Sequence, residues 1–345
     1  MGLLSLFSCF SKPDASINRL LITTTFNIMG EHCHHFSLAE IQSSLTNAEK
    51  SLVIGEDSFG VVYKGYLNKG ATAVAIKWFN KGSLSGLSES QLKNEVLFLC
   101  QLHHPNIMPV IGFCIERYPH LIILVHEYMF NGSINDHLHH TNNHKFVPLS
   151  WERRLRICIG VARGLHYLHT GGMCSVIHNF FKTQYILLDQ NWEPKISGLL
   201  LSKRGGVDVA SSSLVARNHD TFAYCDPEYA ASGILTVKSN VFSFGVVLLE
   251  VLSAKQAREL YLKRVKNPNF SVELHAEKIV DPFIKSKIAP DCWKTFIDIT
   301  ERCLHKQGTE RPNMGEVEMQ LELALQLQQK SQTYVDCNLD FVQTV

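Results

Sequence analysis

The sequence has no run of eighteen apolar residues free of charge, so no part of it reads as a membrane-crossing helix. It has no excess of charge of one sign. Lys+Arg 33 against Asp+Glu 32 leave a net +1, which gives no support to a nucleic-acid binder or an acidic tail protein. It has no Cys-x-x-Cys pair. The 10 cysteines are scattered from Cys9 to Cys337, which speaks against a zinc ribbon or a thioredoxin-like site. The chain is also long for a disulfide scaffold, so the cysteines read as reduced thiols of a cytosolic protein. No basic n-region precedes the short apolar run Leu3–Phe10, so a secretory signal is not expected. No internal repeat is present. What remains is an ordinary globular composition, 45% hydrophobic over 345 residues. That allows two domains or one large bilobal one.

The first residues offer one lipid signal. Met1-Gly2 raises N-myristoylation, but that motif wants Ser or Thr at position 6, where Leu6 stands. Acylation of Gly2 or Cys9 is the alternative to a disordered leader. Glu31-His32-Cys33-His34-His35 is dense in metal-ligand types. No second segment completes a site, so it reads as a solvated linker and no metal is expected.

Beyond it the periodicity changes three times. Phe36–Ile41 opens an amphipathic helical pattern, with Ser37 as N-cap and Glu40 three residues on. Between Leu52 and Phe79 lie short β-branched runs, Val53-Ile54, Val61–Tyr63 and Ala73–Ile76, separated by turn residues. Residues 88–102 predict a helix with Leu92, Val96, Leu99 and Leu102 on one face. Leu121–His126 is a further strand. After Gly132 the pattern is helical, with Trp151–Thr170, Ser239–Leu252, Asp291–Lys306 and Met314–Gln329 the longest stretches. The expected organisation is a flexible extension over 1–35, a helical lead-in and small lobe over 36–128, a larger lobe over 129–328 and a tail over 329–345.

Gly55-Glu56-Asp57-Ser58-Phe59-Gly60-Val61-Val62 lies between two predicted strands. Glycines in such a turn let backbone N–H groups approach phosphate oxygens, although a plain hairpin has the same look. Val74-Ala75-Ile76-Lys77 then places a lysine on an apolar strand, and Glu95 follows on the predicted helix. In this order, lysine and glutamate form the ion pair that holds nucleotide phosphates in protein kinases.

From residue 36 to 328 the sequence resembles the protein kinase superfamily. It is most similar to the intracellular domains of plant receptor-like kinases of the FERONIA, malectin-like type. The likeness is carried by 36–41, 52–65, 164–171, 243–250 and 310–317. It implies an α+β, bilobal protein-kinase fold, with an antiparallel-sheet N-lobe bearing one αC helix and a mainly helical C-lobe. The ectodomain and membrane span of such receptors are not in the sequence, so a receptor-like cytoplasmic form is expected. The resemblance implies that ATP would meet Ile54, Gly55, Gly60, Val62, Ala75, Lys77, Glu95, Glu127, Met129 and Leu187. His126 falls at the gatekeeper, and Glu228 should pair with Arg311. Leu99, His178 and Leu199 belong to a hydrophobic column.

Against that pattern the catalytic residues are missing. In the segment matching H-R-D-x-K-x-x-N, Phe180 replaces the aspartate that accepts the substrate hydroxyl's proton. Tyr185 replaces the Mg²⁺-binding asparagine, and Asn179 the arginine. His178 and Lys182 remain, and Lys182 favours the Ser/Thr class by resemblance. Gly198 replaces the metal-binding aspartate of D-F-G, with Leu199 and Leu200 after it. Asn240 replaces the aspartate that anchors the catalytic loop. Asp189 and Asp208 are placed too far along to stand in.

Asp57 stands at the second glycine of the phosphate loop. A carboxylate about 5 Å from a phosphate, at an effective dielectric near 20, repels it by roughly 3 kcal/mol. A missing general base alone is worth about 10²–10⁴ in rate.

The expectation is a pseudokinase, a scaffold or allosteric partner of other protein kinases or receptor complexes. The alternative is an ATP-binding Ser/Thr kinase with weak or unorthodox phosphotransfer. A nucleotide switch without catalysis stands beside the first. ATP is the implied cofactor, held without Mg²⁺. Ser211, Ser212, Ser213 and Thr221 are candidate phosphorylation sites. The expected location is the cytoplasm, at the inner face of the plasma membrane if the N-terminus is acylated.

Overall fold

A computed structural model of the protein describes residues 33–45, 53–57, 59–80, 89–116, 121–139, 148–172, 174–179, 181–205, 222–266 and 271–342. Gly2, Cys9, Phe180, Asp208, Ser211, Ser212, Ser213 and Thr221 lie outside the described residues. The chain forms two compact units. One is Met1–Leu102 with Pro109–Tyr128, and the other is His103–Met108 with Met129–Val345.

Among the described residues the first unit is a six-stranded sheet with two helices. β1 is His34–His35, α1 Leu38–Leu45, β2 Val53–Asp57, β3 Gly60–Leu67, β4 Thr72–Phe79, α2 Glu89–Leu99, β5 Val110–Glu116 and β6 Leu121–Glu127. The strand order is β1-β5-β6-β4-β3-β2, antiparallel except for β1 on β5. Side chains alternate across a strand. Val74 and Ile76 of β4, with Ile123 and Val125 of β6, therefore share one face, where they bury against Phe36 and Ile41. Ala75 and Lys77 belong to the opposite face.

α1 starts on the capping box that its sequence predicts. Ser37 N–H donates to Glu40 Oε2 at 2.8 Å, and Glu40 N–H donates to Ser37 Oγ at 3.3 Å. α2 stops at Leu99, short of the predicted residue 102. Tight turns from Gln101 N–H to Phe98 O (3.0 Å) and Leu102 N–H to Leu99 O (3.1 Å) close it.

Two readings of the sequence are corrected here. Cys33, His34 and His35, placed in the flexible extension, are fastened to the unit. His34 and His35 pair with Gly112 and Phe113, on a β5 strand that the periodicity did not single out. Cys33 is disulfide-bonded to Cys100, so not every cysteine is a reduced thiol. The two lie at a Cα–Cα distance of 5.9 Å, inside the range a disulfide spans. Among the described residues Cys114, Cys158, Cys174, Cys225, Cys292 and Cys303 are free.

The second unit is mainly helical. It runs α3 Ile134–His139, α4 Trp151–Thr170, β7 Val176–Ile177, β8 Ile186–Leu188, β9 Pro194–Ile196, β10 Lys203–Arg204, α5 Pro227–Ser232, α6 Val237–Ser253, α7 Ala257–Lys266, α8 Val272–Ile279, α9 Pro282–Lys285, α10 Pro290–Cys303 and α11 Met314–Val342. β7 pairs with β10 and β8 with β9. Every residue of α6 from Ser239 to Ser253 is buried, which explains why its sequence is apolar all round rather than on one stripe. α11 continues to Val342, through most of the segment expected as a tail. Among the described residues no single helix is long and apolar enough to cross a membrane. A mostly antiparallel sheet in the first unit and a mainly helical second unit match the α+β division that the resemblance implies.

The expected Glu228–Arg311 pair is also corrected. Arg311 Nη2 lies 2.7 Å from Asp226 Oδ1, with side chains 0% and 1% exposed, while Glu228 is exposed. Asp226 is the N-cap of α5, accepting from Glu228 N–H at 2.9 Å, and Ser239 Oγ donates to its other oxygen at 2.8 Å. Capping turns its carboxylate inward and sends the helical Glu228 outward.

Candidate functional site

In the first unit, β2 and β3 form the hairpin predicted as a phosphate loop. Ile54 sits in a register shift between Val53 and Gly55 and is 44% exposed. Gly60 opens β3 against β4 so closely that a Cβ there would meet the Trp78 carbonyl oxygen at 1.9 Å. Val62 pairs directly with Lys77, and Ala75 with His126, so these four share the face opposite the core. Glu127 ends β6, exposed, and Glu95 is half-buried on α2.

Lys77 has a partner that the sequence did not suggest. Its Nζ is 2.6 Å from Asp57 Oδ2 and 5.1 Å from the centre of the Phe79 ring. The other Asp57 oxygen accepts from the backbone N–H of Phe59 at 2.9 Å and of Gly60 at 3.0 Å. The carboxylate expected to repel phosphate thus holds three donors of the loop and strand. His126 donates Nδ1–H to the Pro109 carbonyl oxygen at 3.0 Å. Burial pushes its ring down to about 4, so it is neutral at pH 7.

In the second unit, the loop after β7 is held by Asn240 of α6. Its Oδ1 accepts from His178 N–H at 2.9 Å, and its Nδ2 donates to the His178 carbonyl at 2.7 Å. The uncharged replacement therefore still anchors the loop through both polar atoms. His178 donates Nε2–H to the Ser197 carbonyl at 2.8 Å, and burial lowers it to about 4. Its ring lies 5.5 Å from both Phe181 and Tyr185. Leu199 is buried in a short 3₁₀ turn, Leu199–Leu201. Met129 is buried, and Leu187 is half-buried on β8. Asn179 Oδ1 is buried with no hydrogen-bond partner among the described residues.

The two positions that the resemblance gives to metal ligands lie against each other. Gly198 has φ +82°, and a Cβ there would meet Tyr185 Cδ1 at 2.7 Å and Cε1 at 2.9 Å. Ser197 N–H donates to the Tyr185 carbonyl at 2.9 Å, which fixes the two segments side by side. Lys182 Nζ lies 5.4 Å from the centre of the Tyr185 ring. Asp189 is engaged in a turn. Its Oδ1 accepts from Asn191 and Glu193 N–H at 2.8 and 2.9 Å, closing the β8–β9 turn. Among the described residues no three His, Cys, Asp or Glu side chains are grouped to hold a metal. The aromatic ring on Gly198 does not fit Mg²⁺, which takes hard oxygen ligands.

Sequence reasoning missed a buried polar chain next to this loop. Thr183 Oγ1 lies 3.1 Å from the Tyr224 hydroxyl, which donates to Glu250 Oε2 at 2.5 Å. His139 Nε2 is 3.1 Å from Glu250 Oε1, and Ala257 N–H donates to the same oxygen at 2.9 Å. Burial and the Glu250 charge keep Tyr224 protonated. The available signal was Glu250 itself, an acid inside a continuous apolar run.

A family model described as "Protein tyrosine and serine/threonine kinase" matches residues 48–321. Two receptor-like protein kinases of Arabidopsis thaliana illustrate the similarity. FERONIA is 43% identical over 307 residues, covering 87% of this chain and 33% of the relative. ANXUR2 is 42% identical over 309 residues, covering 88% and 35%. The chain spans about a third of the length of these curated relatives.

Proposed function

The chain belongs to the protein tyrosine and serine/threonine kinase family, and on that premise we propose that its kinase domain is a pseudokinase, a signalling scaffold or allosteric partner of active kinases and receptor complexes. One observation carries this reading. The Tyr185 ring lies against Gly198, within 2.7 Å of where a side chain would begin. The two positions that bind Mg²⁺ in active relatives are thereby an aromatic contact. Mg²⁺ organises the phosphates and neutralises developing charge, so its loss removes more than one rate factor. The relatives are named as kinases, and this chain departs from the kinase motifs at these positions.

The rest of the proposal follows from the residues retained. Lys77, Glu95 and the glycine loop favour a second reading, an ATP-binding Ser/Thr kinase of weak or unorthodox activity. ATP binding, where it occurs, is independent of Mg²⁺. The partner is another protein rather than a nucleic acid, in the cytoplasm. Acylation of Gly2 or Cys9 would place the chain on the inner face of the plasma membrane.

The test is phosphotransfer. Purified protein is incubated with ATP and Mg²⁺ or Mn²⁺, alone and with a generic protein substrate, and phosphate is counted by intact mass. The expected result is none. Incorporation that Lys77→Ala abolishes would establish the second reading instead.

A further inference from the structure

We propose that Asp57 is an internal anion occupying the phosphate-binding donors of the first unit, so that a polyphosphate binds well only when this carboxylate is removed. The inference deepens the pseudokinase reading and rests on it for its meaning: a site without catalysis loses nothing by being closed.

One carboxylate receives donors from two separate segments. Phe59 and Gly60 offer backbone N–H groups to Oδ1 at 2.9 and 3.0 Å, and the Lys77 ammonium meets Oδ2 at 2.6 Å. Successive backbone N–H groups in a turn, with a lysine beside them, make an anion site. Here both oxygens of a side chain already fill it. The Gly60 N–H cannot swing away to serve another ligand, because the close backbone approach at Trp78 pins it to β4. The Lys77 side chain is 14% exposed and that of Asp57 24%, so solvent weakens the pair only in part. A tethered group competes at an effective concentration in about the millimolar range or above. A free ligand must also overcome the charge of the carboxylate it displaces. Among the described residues a Cβ on Gly55 would meet only Val62 Cβ, at 4.0 Å, so these residues leave that side of the turn open.

The test compares the full chain with Asp57→Gly and Asp57→Asn. Binding of ATP and of inorganic tripolyphosphate is measured by calorimetry in EDTA. Tripolyphosphate separates the anion site from recognition of the nucleoside. Both ligands should bind Asp57→Gly at least tenfold more tightly than the parent, with Asp57→Asn between them. The gain should vanish in Asp57→Gly/Lys77→Ala. Equal affinity of parent and Asp57→Gly, or a gain that survives loss of Lys77, overturns the proposal. Should Asp57→Gly fail to fold, Asp57→Asn decides, together with acylation of Lys77 by an amine-reactive reagent. The Lys77 amine should react several-fold faster in Asp57→Asn than in the parent, and an unchanged rate overturns the proposal. Phosphotransfer by the parent is measured on the same samples. Transfer would sink the pseudokinase reading whatever the affinities, whereas an inert parent with no gain in Asp57→Gly sinks this inference alone.

Discussion

The glycine-bearing loop of the first unit and the loop after β7 in the second both depart from the kinase motifs, in opposite ways. In the first, the cation and the backbone donors are still present, and a carboxylate has been added to them. In the second, two acids and an amide give way to Phe180, Gly198 and Tyr185, and the Tyr185 ring takes the space beside Gly198. One change is electrostatic and involves a single residue. The other is steric and involves at least two residues in contact. Charge can be undone by one substitution without moving the backbone. Packing cannot, because protein interiors are filled and their residues respond together.

That contrast holds only if the second unit keeps its scaffold, and the first way to break it is at the buried ion pair. Asp226→Asn should destabilise the chain by about 3–5 kcal/mol, since it leaves the Arg311 charge buried and unpaired. Glu228→Gln, at an exposed position, should stay within about 0.5 kcal/mol. Denaturant midpoints of the two variants decide it, and equal losses would restore the partner first expected from the sequence.

The steric side is sharpened by restoring the missing acid. Gly198→Asp should cost about 3 kcal/mol, from a left-handed backbone and a clash with the Tyr185 ring. Adding Tyr185→Asn should recover half of that or more. Additive losses in this cycle would show that the two positions are not coupled.

The effect smallest for any single residue is in pH. His126, His169 and His178 are lowered by burial from 6.5 to about 4. Between those values the unfolded chain binds more protons than the folded one. Their contribution is therefore complete above about pH 6.5 and is lost as the pH falls toward 4. Each should remove about 1 kcal/mol from pH 6.5 to 5.5. Urea midpoints at pH 7.5, 6.0 and 5.0 would show the decline, and His126→Leu should reduce its slope by about a third. A flat profile would mean that these rings are charged or hydrated.

The fold was legible because its strands and long helices announce themselves by period, as in Ala73–Ile76 and Trp151–Thr170. β5 was not, being a strand behind Pro109 interrupted by Gly112. The site was legible as a set of departures from a pattern, but not as contacts. Sequence placed Asp57 in the loop and Lys77 on the strand. Only the pairing of Val62 with Lys77 brings the ammonium back to the turn. Asp226 and Glu228 are two acids of one motif, and the helix cap decides which one faces Arg311. Tyr185 and Gly198 both fall where the resemblance puts metal ligands, and that was the signal that they meet. Cys33 and Cys100 carry no such signal across a separation of 67 residues.

That last bond changes the topology of the molecule. Joined through Cys33 and Cys100, the chain between them is a covalent ring. The glycine loop, Asp57, Lys77 and Glu95 all lie within it. A single cut anywhere inside opens the ring without separating its ends, so the pieces stay on one molecule for as long as the thiols remain oxidised. The lead-in strand and the end of α2 then cannot part, whatever happens to the residues between them.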